Sequence, residues 1–171
     1  MQISDELSTI VAYAKEEAMR TGSYAITPDH LFLGILRHSS NPACDILVSR
    51  SANPSELKLQ VESSIFRDRS IPYNDEEKVR LNRESSNVLS RALFEAGRTG
   101  SPSADSRHLL MALSRCETCR CRIVLESAGI SFEELSSEIS KPAGPESKKQ
   151  EAKASARILG TFSIKAPEIY S

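Results

Sequence analysis

The chain has no tryptophan, and its aromatic residues amount to only 5%. A core here must therefore be built mostly from aliphatic side chains. No apolar run approaches the ~20 residues of a membrane span, so no membrane partner is expected. A net charge of −1 supplies no basic field for nucleic acid, which is likewise not expected as a partner. The phosphate-loop pattern G-x-x-x-x-G-K-[ST] does not occur, which excludes ATP hydrolysis by such a loop within these residues. The three histidines are dispersed, and no nucleophile–base pattern accompanies them, so no catalytic residue is assigned. Sustained two-residue alternation is missing, as are hairpin turns between apolar runs, and no strand is predicted. The opening residues, Met1-Gln2-Ile3-Ser4-Asp5-Glu6, show no basic segment followed by an apolar one. No secretory signal is expected, and a cytoplasmic protein is.

Cysteine is sparse and poorly spaced for metal binding. Of four cysteines, Cys116, Cys119 and Cys121 cluster, and Cys44 stands nearly at the repeat-equivalent place of Cys121. Two well-separated Cys/His pairs, the usual zinc spacing, are missing. The expectation is small buried thiols near a helix start in a reducing compartment, with no metal and no cofactor. A small metal-binding or redox-sensing protein is the rival reading from a different class.

What the chain does contain is a copy of itself. Residues 10–61 return at 88–139 with a constant offset of 78 and no gap. The clearest stretch is Glu17-Ala18-Met19-Arg20-Thr21-Gly22-Ser23 against Glu95-Ala96-Gly97-Arg98-Thr99-Gly100-Ser101, followed by His30-Leu31 against His108-Leu109. An internal repeat of this length implies two copies of one structural unit packed together.

Each copy reads as four helices. In the first, Leu7, Ile10, Val11, Ala14 and Ala18 fall at helical spacing, and Gly22 suits a left-handed end. Thr27-Pro28, Asn41-Pro42 and Asn53-Pro54 each place a capping residue before a proline at the first helical position. Glu56 stands at a capping-box position for the fourth helix. In the second copy Val88, Leu89, Ala92 and Ala96 line the first helix and Gly100 ends it. Asp105 caps the next helix, and Ser131 to Glu134 opens the last with a capping box. The predicted fold is all-α: two tandem four-helix repeats, eight helices in a pseudo-twofold relation, followed by a flexible C-terminal tail. The expected domain spans 1–140, with repeat one at 5–66 and repeat two at 81–140. The Lys-, Glu-, Ala- and Ser-rich residues 141–171 are expected to be a linker or tail.

These motifs resemble the amino-terminal double Clp-N repeat of Clp-type AAA+ unfoldases, and the ClpC type in particular. The resemblance rests on Glu17-Ala18 to Gly22 followed by Ile26-Thr27-Pro28-Asp29-His30-Leu31-Phe32-Leu33-Gly34. It rests too on a looser second copy, Glu95-Ala96 to Gly100 followed by Ala104-Asp105-Ser106-Arg107-His108-Leu109-Leu110. It covers about residues 5–140. It implies a recognition domain without enzyme activity of its own, which captures substrate proteins or adaptor proteins. An AAA+ Clp ATPase module, in cis or in trans, would do the work and deliver to a Clp protease ring. The alternative within the family is a stand-alone adaptor or regulatory protein.

The resemblance also suggests where binding occurs. In the ClpC type the acidic residue before each motif histidine helps to bind phosphorylated arginine. Here those positions are Asp29 and Arg107, and the reversed charge at 107 argues against a two-site reader. Arg107 suits a phosphate or a carboxylate, or is simply solvated at its helix start. His30 and His108, repeated in both copies, are expected to do one structural job twice, such as tying a loop carbonyl to a helix end. Gly22 and Gly100 are expected to serve backbone geometry. Leu93 and Phe94 replace Lys15 and Glu16 of the first copy. They could floor a peptide groove, or they could pack against the Ile71-Pro72-Tyr73 connector or the other repeat.

Overall fold

The computed structural model describes residues 2–65, 69–117 and 119–140. One compact unit runs to Ser136. Of the second unit, from Ser137 onward, only 137–140 are described, and they are the end of the last helix. The expected linker or tail at 141–171 lies outside the described residues.

Eight α-helices occur among the described residues: α1 (Asp5–Arg20), α2 (Pro28–His38), α3 (Pro42–Ser49), α4 (Pro54–Glu62), α5 (Arg83–Arg98), α6 (Ser106–Leu113), α7 (Arg120–Ser127) and α8 (Phe132–Ser140). Local chemistry starts them. The Ser4 hydroxyl accepts the Leu7 N–H at 3.0 Å, and Asn41 accepts Cys44 N–H at 2.8 Å. Asn82 accepts Ser85 N–H at 2.8 Å in the same way. Each of these bonds satisfies a first-turn donor that the helix itself cannot. The fourth helix departs from expectation, since Asn53 accepts the Ser55 N–H at 2.9 Å without a capping box. Gly22 and Gly100 end α1 and α5 with φ of 79° and 75°. Only glycine adopts that left-handed region without strain.

Each repeat is a tight hairpin of its first two helices followed by two further short helices. Leu7, Ile10, Ala14 and Ala18 of α1 are buried with Leu31, Phe32 and Ile35 of α2. Val88, Ala92 and Ala96 of α5 are buried with Leu109, Leu110 and Met111 of α6. The repeats then interlock, α3 on α6, α4 on α7 and α2 on α5. None of the helices among the described residues is long and apolar enough to cross a membrane.

The expectation of no strand is corrected. Among the described residues there are four two-residue strands: β1 (Gln2–Ile3), β2 (Ala25–Ile26), β3 (Arg80–Leu81) and β4 (Ser103–Ala104). β1 runs parallel to β4, with Gln2 opposite Ser103, and β2 runs parallel to β3, with Ala25 opposite Arg80. At the repeat offset β1 corresponds to β3 and β2 to β4. The same bridge is thus made twice, each time between one repeat and the other. Two residues are too few to alternate, so periodicity could not reveal them.

The motif histidines knit the turn between the first two helices of each repeat. Nδ1 of His30 accepts the Thr27 N–H at 3.1 Å, which places the ring proton on Nε2, 3.1 Å from Thr21 Oγ1. The group tied to the helix end is therefore a backbone N–H and a hydroxyl, not the carbonyl anticipated from sequence. Burial holds His30 below its ordinary pKa of 6.5, outweighing the carboxylates of Asp29 and Glu17. A histidine kept neutral in the fold contributes stability that is present above its unfolded pKa and is lost as the pH falls below it. Urea melts should therefore show the domain weakening from pH 7 to pH 5. His30→Asn, which keeps an acceptor for Thr27, should flatten that slope.

The connector between repeats is bonded to repeat one. Ile71 N–H donates to Met19 O at 3.0 Å, Lys15 pairs with Glu76 at 2.6 Å, and Tyr24 donates to Asp75 at 3.0 Å.

Candidate functional site at the junction of the repeats

The two repeats use the start of their third helix differently, and this asymmetry creates the site. In repeat one Asn41 is a complete cap: its Oδ1 accepts the Cys44 N–H, and its Nδ2 donates to Ile35 O at 3.0 Å. Cys119 stands at the repeat-equivalent position. Its thiol donates to Leu113 O, the equivalent of Ile35 O, but it does not cap α7 as Asn41 caps α3. Asp29 supplies an acceptor from the other repeat. Its carboxylate accepts the Cys121 N–H at 2.8 Å and the Arg120 N–H at 3.2 Å. A carboxylate at a helix N-terminus also meets the positive end of the dipole.

Arg107, the repeat equivalent of Asp29, makes no such bridge. Its guanidinium closes on Asp105 beside it, with Nη2 to Oδ2 at 2.7 Å and Nε to Oδ1 at 3.1 Å. Burial alone would raise the Asp105 carboxyl, but the neighbouring His108 ring, together with the hydrogen bonds and charge of Arg107, holds it well below the usual carboxylate range. The cross-repeat contact in this half is made by Ser106, whose hydroxyl accepts the Ala43 N–H at 3.2 Å and whose own N–H donates to Glu6 at 2.9 Å. Pro28, the equivalent of Ser106, has no N–H to offer, and Glu84, the equivalent of Glu6, lines a cleft instead.

That cleft has a volume of about 380 Å³ and is bordered by Pro28, Asp29, Ser64, Ile65, Glu84 and Cys119. A second of about 360 Å³ adjoins it through Asp29 and Cys119 and reaches Glu117, Arg120 and Ile123. Of the residues chosen from sequence for binding, only Asp29 lines these clefts, while Gly22 and His30, chosen for structural roles, border the first. Leu93 is half-buried and Phe94 is 61% exposed under the Arg91 guanidinium, and neither lines them. Their counterparts in repeat one are spent on ion pairs, Lys15 with Glu76 and Glu16 with Arg37. The repeated glutamates Glu17 and Glu95 are buried. Glu17 pairs with Arg20 and Arg37, and Glu95 with Arg98.

Ser64, Ile65, Glu84 and Ile123 also line the clefts, and none of them stands out from the sequence as a binding residue. The available signal was the offset pair Glu6 and Glu84, facing a serine in one copy and a proline in the other.

Residues 2–119 match the family described as the Clp repeat N-terminal domain. The chain is 24% identical over 131 residues to the negative regulator of genetic competence ClpC/MecB of Bacillus subtilis, across 77% of this chain and 16% of that protein. It is 24% identical over 148 residues to the ATP-dependent Clp protease ATP-binding subunit ClpA homolog of Porphyra purpurea, across 84% of this chain and 17% of that protein. The chain thus spans about a sixth of the length of these relatives. Its fold is similar to the crystal structure of the Hsp104 N-terminal domain from Candida albicans, with a TM-score of 0.66 at 14% identity over 84% of this chain and 93% of that one.

Proposed function

The chain belongs to the Clp repeat N-terminal domain family, and on that premise we propose that it is the recognition domain of an ATP-dependent Clp unfoldase–protease in the cytoplasm. It captures substrate or adaptor proteins for the ATPase ring and does no chemistry itself. The observation that carries this reading is the pair of clefts at the repeat junction. There the carboxylates of Asp29, Glu84 and Glu117 gather beside Ile65 and Ile123, with Arg120 on the rim. Carboxylates set next to isoleucine side chains suit an extended segment that carries a basic side chain next to an apolar one. Leu93 and Phe94 offer a separate apolar contact, and Arg107, already held by Asp105, contributes less to ligand charge than Asp29. An AAA+ module in cis or in trans supplies the ATP-driven pulling, and a Clp protease ring is engaged only through that module.

The test is a chimera in which this chain precedes the ATPase modules of a ClpC-type unfoldase lacking its own N-terminal domain. Client degradation should recover. Glu84→Lys, which reverses charge without touching a helix cap, should weaken client affinity about 10-fold, equivalent to ~1.4 kcal/mol. Phe94→Lys that folds and captures clients unchanged would remove Phe94 from the binding surface. A chimera no better than the truncated unfoldase would overturn the reading.

A further inference from the structure

Three ligand-type groups meet at one point beside the clefts. The Asp29 carboxylate, Cys119 Sγ and Cys121 Sγ all lie within 4.8 Å of one another. Asp29 comes from repeat one and the two thiols from repeat two. Cys119 is 5% exposed and Cys121 is fully buried, and their sulfurs are 3.0 Å apart. The corresponding residues of repeat one are Asn41 and Ala43, a self-sufficient cap and a small core residue. Two thiols have replaced them, the local cap has been lost, and a carboxylate has been brought in from the other repeat.

We propose that Asp29, Cys119 and Cys121 form a binding site for a zinc-class divalent ion, with the fourth coordination position open to the cleft. Thiolates and carboxylates are the ligands zinc takes, at about 2.3 Å for sulfur and about 2.0–2.2 Å for oxygen. Sulfur donors rule against calcium and magnesium, which take oxygen. Two sulfurs on one tetrahedral ion stand about 3.8 Å apart at those bond lengths, so binding parts the present pair by less than about 1 Å. Side-chain rotation of Cys119, at the cleft wall, can supply that. The ion reaches the site through the cleft that Asp29 and Cys119 border.

The surroundings suit it. Two N–H groups of α7 already fix the orientation of the Asp29 carboxylate. That is the supporting role that groups behind a ligating carboxylate usually play, and about four lone-pair sites leave room for a metal bond. Two thiolates and one carboxylate around a divalent ion leave a net charge of −1, placed at the N-terminus of α7 where the helix dipole favours it. Binding releases the two thiol protons to solvent and oxidises nothing. Burial raises the Cys121 thiol, and direct coordination supplies the charge that overcomes it. The occupied site would join α2 of one repeat to α7 of the other.

The test is titration of the reduced full chain with Co2+ and then Zn2+. One Co2+ per chain should bind, with thiolate-to-cobalt charge-transfer and tetrahedral d–d absorption, and stoichiometric Zn2+ should displace it. Asp29→Asn and Cys119→Ser should each weaken binding about 10-fold or more, and Cys44→Ser should not change it. Helical circular dichroism checks that each variant is folded. A footprint on the wild-type chain avoids variants altogether: Zn2+ should protect Cys119 and Cys121 from alkylation and leave Cys44 unaffected. Absence of thiolate absorption in the reduced wild-type chain would overturn the proposal. So would absorption that survives in Cys119→Ser/Cys121→Ser, or protection confined to Cys44.

Discussion

Replacing Gly34 by alanine lowers the stability of the domain by about 2–3 kcal/mol, although alanine is the better helix former by ~1 kcal/mol. The reason is the approach of α1 to α2. A Cβ on residue 34 would lie 2.5 Å from Ile10 O, 3.1 Å from Ala14 N and 3.3 Å from Ile10 Cγ2. The first two are backbone atoms in the middle of a helix, so no side-chain rotation relieves the contact and the helices must separate. Over a chain of this length the loss corresponds to a melting temperature roughly 5–10 °C lower. The molecule carries its own control. Ala112 occupies the equivalent position in repeat two, so there the hairpin already accommodates a methyl group. Ala112→Gly should cost only about 1 kcal/mol, from helix propensity. Urea melts of both variants decide the point, and a stabilised Gly34→Ala would show that the α1–α2 crossing is not as close as described.

His108→Ala should cost about 3 kcal/mol, combining a buried cavity with stranded polar groups. The ring is fully buried. Its Nδ1 lies 3.1 Å from Asp105 N and 3.3 Å from Asp105 Oδ1, and its Nε2 lies 3.2 Å from Thr99 Oγ1 and 3.3 Å from Ser101 Oγ. Removing the ring leaves the Asp105 N–H and two hydroxyls without it, at the turn that carries β4. His108→Asn, which can still accept the Asp105 N–H, should recover part of the loss. A His108→Ala variant within about 0.5 kcal/mol of wild type would mean the ring is no more than filler.

Much of the helical plan was legible because its signals are local. A capping side chain acts on an N–H two or three residues away, and proline at a first helical position acts on its own φ. Thr27-Pro28, Asn41-Pro42 and Asn53-Pro54 could therefore be read directly. The conserved spacing between copies also marked His30 and His108 as a matched pair. The site was less legible. Asp29 was picked for its charge and place in a motif, whereas its partners, Arg120 and Cys121, are some 90 residues further along the chain. Arg107 looked available because sequence does not show that its guanidinium folds onto Asp105. Leu93 and Phe94 were marked as an apolar face, but a helical pattern does not say which element, if any, covers it.

The sequence by itself determined two four-helix copies, their caps and their hydrophobic faces, because those depend on periodicity and on contacts within a single turn. Only the tertiary structure decided how the copies engage. The bridges of β1 with β4 and of β2 with β3 join segments with almost no pattern of their own. The convergence of Asp29 with Cys119 and Cys121 is decided by docking too. An aspartate and two thiols carry no mutual signal along the chain, and what brings them to one point is the burial of one repeat's helices against the other's.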